Sequence, residues 1–224
     1  MNISQQLLNA EVLAEQLFSE AQLRNYFVAY QTEKDLNERL YNLAQELFGI
    51  KKYWHKRIVR SGKNTLLPYA ENPPNLTLQN DDILFVDFGP VFENWEADIG
   101  KTYVIGNNVH KLKLQRDVQL AWHEGRNYYM QHKNEITNAQ FYTYTQALAK
   151  QYGWSYGNEH CGHLIGNFPH EKILGETHIN YIMLTNTTPM SNPDQHGNER
   201  HWIYEIHFID VANEIGGFYE KYLI

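Results

Sequence analysis

The chain has 224 residues, of which 42% are hydrophobic and 20% charged, a composition that is typical of a folded globular protein and excludes a disordered one. At roughly 100–200 residues per domain, the length predicts a single domain. The formal net charge is −7 without any basic tract, so nucleic acid is excluded as an expected partner. The apolar runs are too short for a membrane span, and the N-terminus lacks the pattern of a signal peptide. The single cysteine, Cys161, fits a reducing compartment, and we therefore expect a cytoplasmic protein.

Two amphipathic helices are predicted near the N-terminus. Ser4 precedes apolar residues at helical spacing and is a candidate cap for the first helix. Residues 32–35, Thr-Glu-Lys-Asp, resemble a capping box, and the leucines of 36–47 then fall on one stripe. Gly49 is a natural stop for this second helix.

The middle of the chain changes from helical period to strand period and back. Residues 83–88 form an apolar run rich in strand formers, and residues 95–105 are predicted to be its partner strand. Helices are predicted over about 110–132 and 138–152, and the region from about 160 to 224 is predicted to form short strands. Thr137 or Asn138 is the expected cap of the last helix, and Gly153 its expected end. This order of elements is typical of a mixed α/β domain.

Acidic side chains and one histidine interrupt several of the apolar strand-like runs. Taken singly, each has an ordinary structural explanation: a turn aspartate, a loop histidine, or a glutamate that faces water. Taken together, four carboxylates on core-like strands would each cost several kcal/mol if unpaired, unless cations neutralise them. With the histidine they form an oxygen-rich set suited to two divalent ions. The set is Asp87, Asp98, His163, Glu205 and Glu220.

The order of these residues resembles the methionine aminopeptidase, aminopeptidase P and prolidase family, the pita-bread metallopeptidases. Asp98 follows Asp87 by eleven residues, residues 162–166 read Gly-His-x-x-Gly, and two glutamates follow. Residues 61–64, Ser-Gly-Lys-Asn, look like the lead-in of the aminopeptidase P and prolidase branch. The match runs from about Arg60 to the C-terminus. The resemblance implies an α/β (α+β) pita-bread fold, a curved antiparallel sheet covered by helices. Residues 1–224 would form one catalytic domain, with 1–59 as its helical N-terminal part.

The resemblance also implies roles for individual residues. Asp87, Asp98, His163, Glu205 and Glu220 would bind two divalent ions, with Mn²⁺ as the first choice among Mn²⁺, Co²⁺, Fe²⁺ and Zn²⁺. Glu205 would double as the general base that takes a proton from the attacking water. His170, seven residues after His163, would contact the substrate and stabilise the tetrahedral intermediate.

Three positions depart from the family pattern. The family's first histidine should follow residues 61–64, but Pro68 or Tyr69 stands there; Tyr69 can hydrogen-bond a substrate but does not easily shuttle protons. His55 is a less favoured spatial substitute. Glu205 lacks the proline that usually follows it, and Phe218 stands where the proline-specific branch usually has arginine.

Two further histidines and the cysteine have less definite roles. His207 follows Glu205 by two residues, so it either lines the substrate pocket or, as we favour, is a hydrogen-bonded strand residue. His160 is a candidate to orient a ligand from outside the metal set. Cys161 is expected to be a small buried side chain rather than a nucleophile.

The sequence therefore predicts a metal-dependent exopeptidase that hydrolyses the N-terminal residue of peptides, with Xaa-Pro bonds among the candidate substrates. One alternative is a catalytically weakened scaffold that binds peptides or protein partners; another is a metal-dependent C–N hydrolase of a non-peptide substrate. The expected partner is a peptide, with neither nucleic acid nor membrane, and a homodimer stays open. The N-terminal domain that is common in the proline-specific branch is expected to be absent, since only about residues 1–59 precede the match.

Overall fold

The computed structural model describes residues 2–170 and 177–224. Its helices are α1 (Ile3–Leu23), α2 (Glu33–Phe48), α3 (Val109–His132) and α4 (Asn138–Tyr152). Its strands are β1 (Ile58–Ser61), β2 (Ile83–Phe88), β3 (Val91–Phe92), β4 (Trp95–Glu96), β5 (Ile99–Val104), β6 (Ser155–Tyr156), β7 (His160–Ile165), β8 (Tyr181–Met183), β9 (His201–Asp210) and β10 (Ile215–Tyr222). Among the described residues, none of the helices combines the length and the apolar character that a membrane span needs.

Helices α2 and α4 begin at capping boxes. Thr32 accepts a hydrogen bond from the backbone of Asp35, whose carboxylate in turn accepts one from the Thr32 backbone. Thr137 and Gln140 form the same reciprocal pair at α4. Each of these helices ends at its predicted glycine, which adopts a left-handed φ of 68° in α2 and 85° in α4. Local sequence signals therefore placed both helices correctly.

The start of α1 differs from its prediction. Asn2, not Ser4, is the cap: the Asn2 side-chain oxygen accepts a hydrogen bond from the Ser4 backbone nitrogen at 3.1 Å. Ser4 consequently lies inside the first turn. Asparagine and serine are comparable caps, and the earlier one lengthens the helix by two residues, about half a turn.

Eight strands form one sheet in which every pair is antiparallel. The strand order is β1-β2-β5-β10-β9-β7-β8, with β6 also paired to β9. The single strand predicted over residues 95–105 is divided, because β4 pairs with β3 in a separate hairpin while β5 pairs with β2. Residues 201–222 also depart from the prediction of short strands, because β9 and β10 are a continuous antiparallel pair of ten and eight residues.

The helices pack on one face of the sheet, and the acidic residues lie on the other. Val86 and Phe88 of β2 belong to the core formed with α1 and α2. Tyr204 and Ile206 of β9 belong to the core formed with α3 and α4. Because neighbouring strand residues point to opposite faces, Asp87 faces away from the helices. This arrangement confirms the expected antiparallel sheet flanked by helices and leaves its second face to form a site.

Candidate metal and peptide site

Three of the acidic residues stand in one row across neighbouring strands. Asp87 of β2 is the register partner of Gly100 in β5, and Gly100 is also the partner of Glu220 in β10. Glu220 is in turn paired with Glu205 of β9. Directly opposed residues point to the same face of a sheet, so strand register alone brings the three carboxylates together.

Gly100 keeps the centre of this row open. A β-carbon at this position would lie 2.4 Å from Cε1 of Phe218 and 3.0 Å from Cβ of Glu220. Any larger residue would therefore displace the Phe218 ring or the β-carbon of Glu220. The glycine permits the close approach of β5 and β10 at the point where the acids converge.

Asp98 and two histidines complete the cluster. Asp98 lies just before β5, and its Oδ1 is 3.0 Å from Nε2 of His55 while its Oδ2 is 3.1 Å from Nε2 of His163. His163, on β7, also lies 3.5 Å from Oε1 of Glu220. His55, on the segment before β1, lies 3.6 Å from Oδ1 of Asp87. Asp98 is thus the centre that joins the two halves of the cluster.

Burial and the neighbouring charges perturb the acids strongly. Burial, with Asp98 and Glu205 nearby, raises the pKa of Asp87 to about 7 although His55 opposes this. Burial and the charges of Asp98 and Asp87 raise the pKa of Glu220 well above its usual value. Burial alone would also raise the pKa of Asp98, but His55 and His163 lower it. The cluster therefore holds more negative charge than its own histidines balance.

The same charges act on the two histidines. Burial opposes protonation of both, but Asp98 and Asp87 raise the pKa of His55 to about 9. Asp98 and Glu220 raise the pKa of His163 well above its usual value. Both imidazoles therefore lie in a field that attracts positive charge.

The described residues fit divalent ions. One candidate set is His55, Asp87 and Asp98, and a second is Asp98, His163 and Glu220; within each set the ligand atoms lie within 4.8 Å of one another. Asp87 Oδ1 is buried and has no hydrogen-bond partner among the described atoms, a costly state for a carboxylate oxygen unless a cation accompanies it. Carboxylate oxygens and imidazole nitrogens are ligands that Mn²⁺, Fe²⁺, Co²⁺ and Zn²⁺ accept.

His170 lies on the rim of the same cavity and is held by a glutamate that the sequence did not reveal. Its Nδ1 is 2.7 Å from Oε2 of Glu96, and its backbone nitrogen donates to Oε1 of Glu96 at 3.1 Å. Glu96 is 1% exposed and also accepts a hydrogen bond from the backbone of Gly166. A signal was present in Trp95-Glu96-Ala97-Asp98, where an acid two residues before Asp98 interrupts an apolar strand. A buried carboxylate in this position fixes the orientation of the His170 ring.

Other predicted residues line the same cavity of about 520 Å³. Tyr69 is 43% exposed, and its hydroxyl accepts a hydrogen bond from the Lys56 backbone at 3.1 Å. His207 also faces the cavity, but its Nε2 is 2.8 Å from the Thr65 carbonyl oxygen, as in a hydrogen-bonded strand residue. Burial lowers the pKa of His207. Tyr69 is therefore the more accessible of the two to a ligand.

His160 and Cys161 lie next to the cluster. His160 Nδ1 is 2.5 Å from Oε1 of Glu205 but lacks hydrogen-bond geometry, whereas Asn158 Nδ2 donates to the same oxygen at 3.2 Å. Cys161 is fully buried, and burial raises its thiol pKa well above the usual value. A thiol with a raised pKa holds its proton, which makes Cys161 unsuited to nucleophilic chemistry.

The segment between α2 and β1 contributes His55, the less favoured spatial substitute for the family's first histidine. The structure places His55 against Asp87 and Asp98, whereas Tyr69 stands near the opening with its ring centre 5.8 Å from that of His55. Sequence order could not reveal this, because His55 precedes residues 61–64 instead of following them.

Comparison with known proteins places this chain in a family. The model of metallopeptidase family M24 matches residues 5–198, and no curated protein matches by sequence. Solved structures with the same fold include a prolidase from Thermococcus sibiricus (TM-score 0.73, 18% identity) and an X-Pro aminopeptidase from Thermotoga maritima (TM-score 0.73, 21% identity). A dipeptidase from Mycobacterium ulcerans has a TM-score of 0.70 and 20% identity.

The match covers most of this chain but only part of these proteins. The alignments cover 95%, 96% and 96% of this chain and 53%, 55% and 53% of the three structures, so the chain spans about half of their length. The matched residues 5–198 end before Glu205 and Glu220, which join the cluster through the register of β9 and β10. The match and the antiparallel sheet with its helices confirm the pita-bread resemblance. The chain belongs to metallopeptidase family M24, whose enzymes typically depend on a pair of metal ions.

Proposed function

We propose that this chain is a metal-dependent exopeptidase that hydrolyses the N-terminal residue of peptides, with Xaa-Pro peptides as the first substrates to assay. The observation that carries the proposal is the row of Asp87, Glu220 and Glu205 across β2, β10 and β9, completed by Asp98 and His163. Family membership supports a peptidase. The proline-related substrates of the structural neighbours are properties of those proteins and enter here as candidates.

In this proposal five residues hold two divalent ions: Asp87, Asp98, His163, Glu205 and Glu220. When bound, the ions supply a water of lowered pKa and polarise the scissile carbonyl. Mn²⁺ is our first choice, and Co²⁺, Fe²⁺ and Zn²⁺ are also compatible with the ligand types. Glu205 acts as the general base, since its carboxylate lies in the cavity and accepts a hydrogen bond from Asn158.

His170 is proposed to stabilise the negative charge that develops on the substrate carbonyl oxygen. Its Nδ1 is engaged by Glu96, so Nε2 is the ring nitrogen available to the substrate. Because a carboxylate only accepts, Nδ1 is the nitrogen that donates to Glu96, and Nε2 is the ring atom that faces the substrate oxygen. Tyr69 would contact the peptide at the opening, and His207 would form part of the inner wall.

We also propose a partner and a cellular location for this protein. The proposed partner is a small peptide, and both a monomer and a homodimer are compatible with the proposal. A chain with one buried cysteine suits a reducing compartment, and we propose the cytoplasm as its location.

A substrate panel tests the proposal. The whole chain, loaded in turn with each of the four ions, would be assayed against Xaa-Pro dipeptides, longer peptides with free and acetylated N-termini, and non-peptide amides. We expect hydrolysis of peptides with a free N-terminus only. Turnover of the non-peptide amides alone would favour a different C–N hydrolase, and peptide binding without turnover would favour the scaffold.

A further inference from the structure

His55 enters the site from a part of the chain that the metal-ligand pattern does not include. It precedes β1, yet its side chain is only 8% exposed, and its Nε2 lies 3.0 Å from Asp98 Oδ1 and 3.6 Å from Asp87 Oδ1. Imidazole nitrogen and carboxylate oxygen are the common protein ligands for Zn²⁺ and related ions. The position of His55 therefore suits a metal ligand as well as it suits a hydrogen-bonding neighbour of the carboxylates.

The other ring nitrogen of His55 determines which way its lone pair points. Nδ1 is 2.8 Å from the carbonyl oxygen of Lys56, and a carbonyl oxygen only accepts, so Nδ1 carries the hydrogen. In the neutral ring the Nε2 lone pair then faces the carboxylates. Metal-binding histidines commonly donate their second N–H to a backbone carbonyl in this way, which fixes the ring for coordination.

His163, a ligand in the proposed function, has the same arrangement. Its Nδ1 is 3.0 Å from the carbonyl oxygen of Leu164, the next residue in the chain, and its Nε2 is 3.1 Å from Asp98 Oδ2. The two histidines therefore approach the two oxygens of Asp98 from different sides, each fixed by the carbonyl of its following residue.

We propose that His55 is a sixth metal ligand, which joins Asp87 and Asp98 at one ion position, while Asp98, His163 and Glu220 contribute to the other. The proposal rests on the proposed function for the presence of the ions, and it adds to the five ligands that the family resemblance implies. The buried Asp87 Oδ1 without a hydrogen-bond partner belongs to the His55 set and is independent support for a cation there.

The fold reserves space for this imidazole. A β-carbon on Gly89 would lie 2.2 Å from Cδ2 and 2.4 Å from Nε2 of His55, so the ring rests directly on the backbone that follows β2. The neighbouring Trp54 is anchored by a hydrogen bond of 3.0 Å from its Nε1 to the Ala97 carbonyl. The segment is thus attached to the β2 and β5 ends that carry Asp87 and Asp98.

A second imidazole changes which ions the site favours. Nitrogen ligands favour Co²⁺ and Zn²⁺ over Mn²⁺ more than an all-oxygen set does. We therefore expect His55→Ala to weaken binding of Co²⁺ at one of the two positions by at least about 100-fold, while Mn²⁺ binding changes less.

Titration calorimetry with Co²⁺, Zn²⁺ and Mn²⁺ on the whole chain tests the proposal, together with the visible absorption of the Co²⁺ form. His55→Ala would be compared with His123→Ala on α3 as a matched control. Because His55→Ala could unfold, a second readout uses the wild-type chain labelled with ¹⁵N-histidine, in which Zn²⁺ should shift the Nε2 resonances of two histidines. Gly89→Ala should weaken the same position by displacing the ring.

Two outcomes overturn the proposal in different ways. His55 is excluded as a ligand if folded His55→Ala binds two Co²⁺ ions with wild-type affinities and spectrum. It is also excluded if Zn²⁺ shifts only one Nε2 resonance. Either result leaves the proposed function intact. A wild-type chain that binds none of the three ions would overturn the proposed function and this inference together.

Discussion

Glu205 and Glu220 are direct cross-strand partners on β9 and β10, and both are almost completely buried. Like charges opposite one another destabilise a strand pair, and each buried carboxylate carries a desolvation cost. Asp87 extends the same row through Gly100. The sheet therefore brings carboxylates together at a point where a bound cation would offset their mutual repulsion, which links the architecture to metal binding.

Glu220→Gln separates the stability cost of this pair from its function. Because burial and nearby acids already raise the pKa of Glu220, a neutral isostere should leave the free energy of unfolding of the metal-free chain unchanged or raise it, by about 0–2 kcal/mol. Stabilisation on adding metal should be largely lost. Urea unfolding with chelator and with Mn²⁺ measures both. A less stable metal-free variant would show that Glu220 serves the fold instead.

Asp98 contacts both histidines, so its loss should affect both ion positions. Asp98→Ala is expected to abolish tight binding of the second ion and to reduce peptide hydrolysis by at least about 100-fold. Asp210→Ala is the control, since Asp210 lies at the end of β9 and pairs with His110. Undiminished peptidase activity in Asp98→Ala would refute the assignment of the site.

His170 should influence turnover without holding metal. His170→Ala is expected to lower kcat by about 10²–10³-fold, as for loss of an oxyanion donor, while the metal content measured by elemental analysis stays at the wild-type level. Loss of metal from this variant would mean that His170 is a ligand and that its proposed role is wrong.

Glu96 should act only through His170. Glu96→Gln keeps the shape of the side chain but removes the charge beside His170 Nδ1, and we expect kcat to fall by about 10–100-fold with KM little changed. In a chain that already carries His170→Ala, the same substitution should have no further effect on kcat. Additive losses in this double-mutant cycle would assign Glu96 a role that does not involve His170.

Asp117 gives the clearest dependence of stability on pH away from the site. Although burial opposes its ionisation, hydrogen bonds from Lys113, Trp154 and Arg116 lower the pKa of Asp117. The Trp154 indole donates to Asp117 Oδ2 at 2.9 Å and so ties α3 to the chain after α4. A pKa lower in the folded state than in the unfolded one stabilises the fold above the ordinary value near 3.9, and this contribution disappears as pH falls through the folded pKa.

Asp117→Asn should therefore be less stable than the wild type by about 1–3 kcal/mol at pH 7, because hydrogen bonds to a charged group are lost. The difference should shrink below about pH 4. Chemical unfolding of the metal-free chain, followed by circular dichroism at several pH values, measures it. A difference that stays constant from pH 7 to pH 3 would show that the charge of Asp117 is not the cause.

Local signals in the sequence predicted the elements well. The capping residues Thr32 and Thr137 fixed the starts of α2 and α4, because a capping box depends only on residues within one turn. The predicted strand over residues 95–105 was wrong in one respect: the β3–β4 hairpin divides it just before Asp98. Pairing between strands is a long-range property that hydrophobic alternation does not specify.

The candidate site, like the strand pairing, could be predicted only in part from the sequence. The order of the five acidic and histidine residues suggested metal binding, but the row from Asp87 through Glu220 to Glu205 follows from register across four strands. Glu96 was missed as a member of the site, and His55 was only a less favoured candidate, because each lies at a position whose neighbours come from distant segments. Chemical type alone gave no reason to prefer His55 over the other histidines of the chain.

The number of metal ions bound per chain tests the central claim most directly. Elemental analysis would follow exhaustive dialysis against chelator, reloading with Mn²⁺ and removal of free ion, with Asp98→Ala measured in parallel. The account predicts about two ions per wild-type chain, as a two-metal site requires, and a loss in the variant. A folded wild-type chain that retains no ion would contradict it, and the buried acids would then belong to a peptide-binding scaffold.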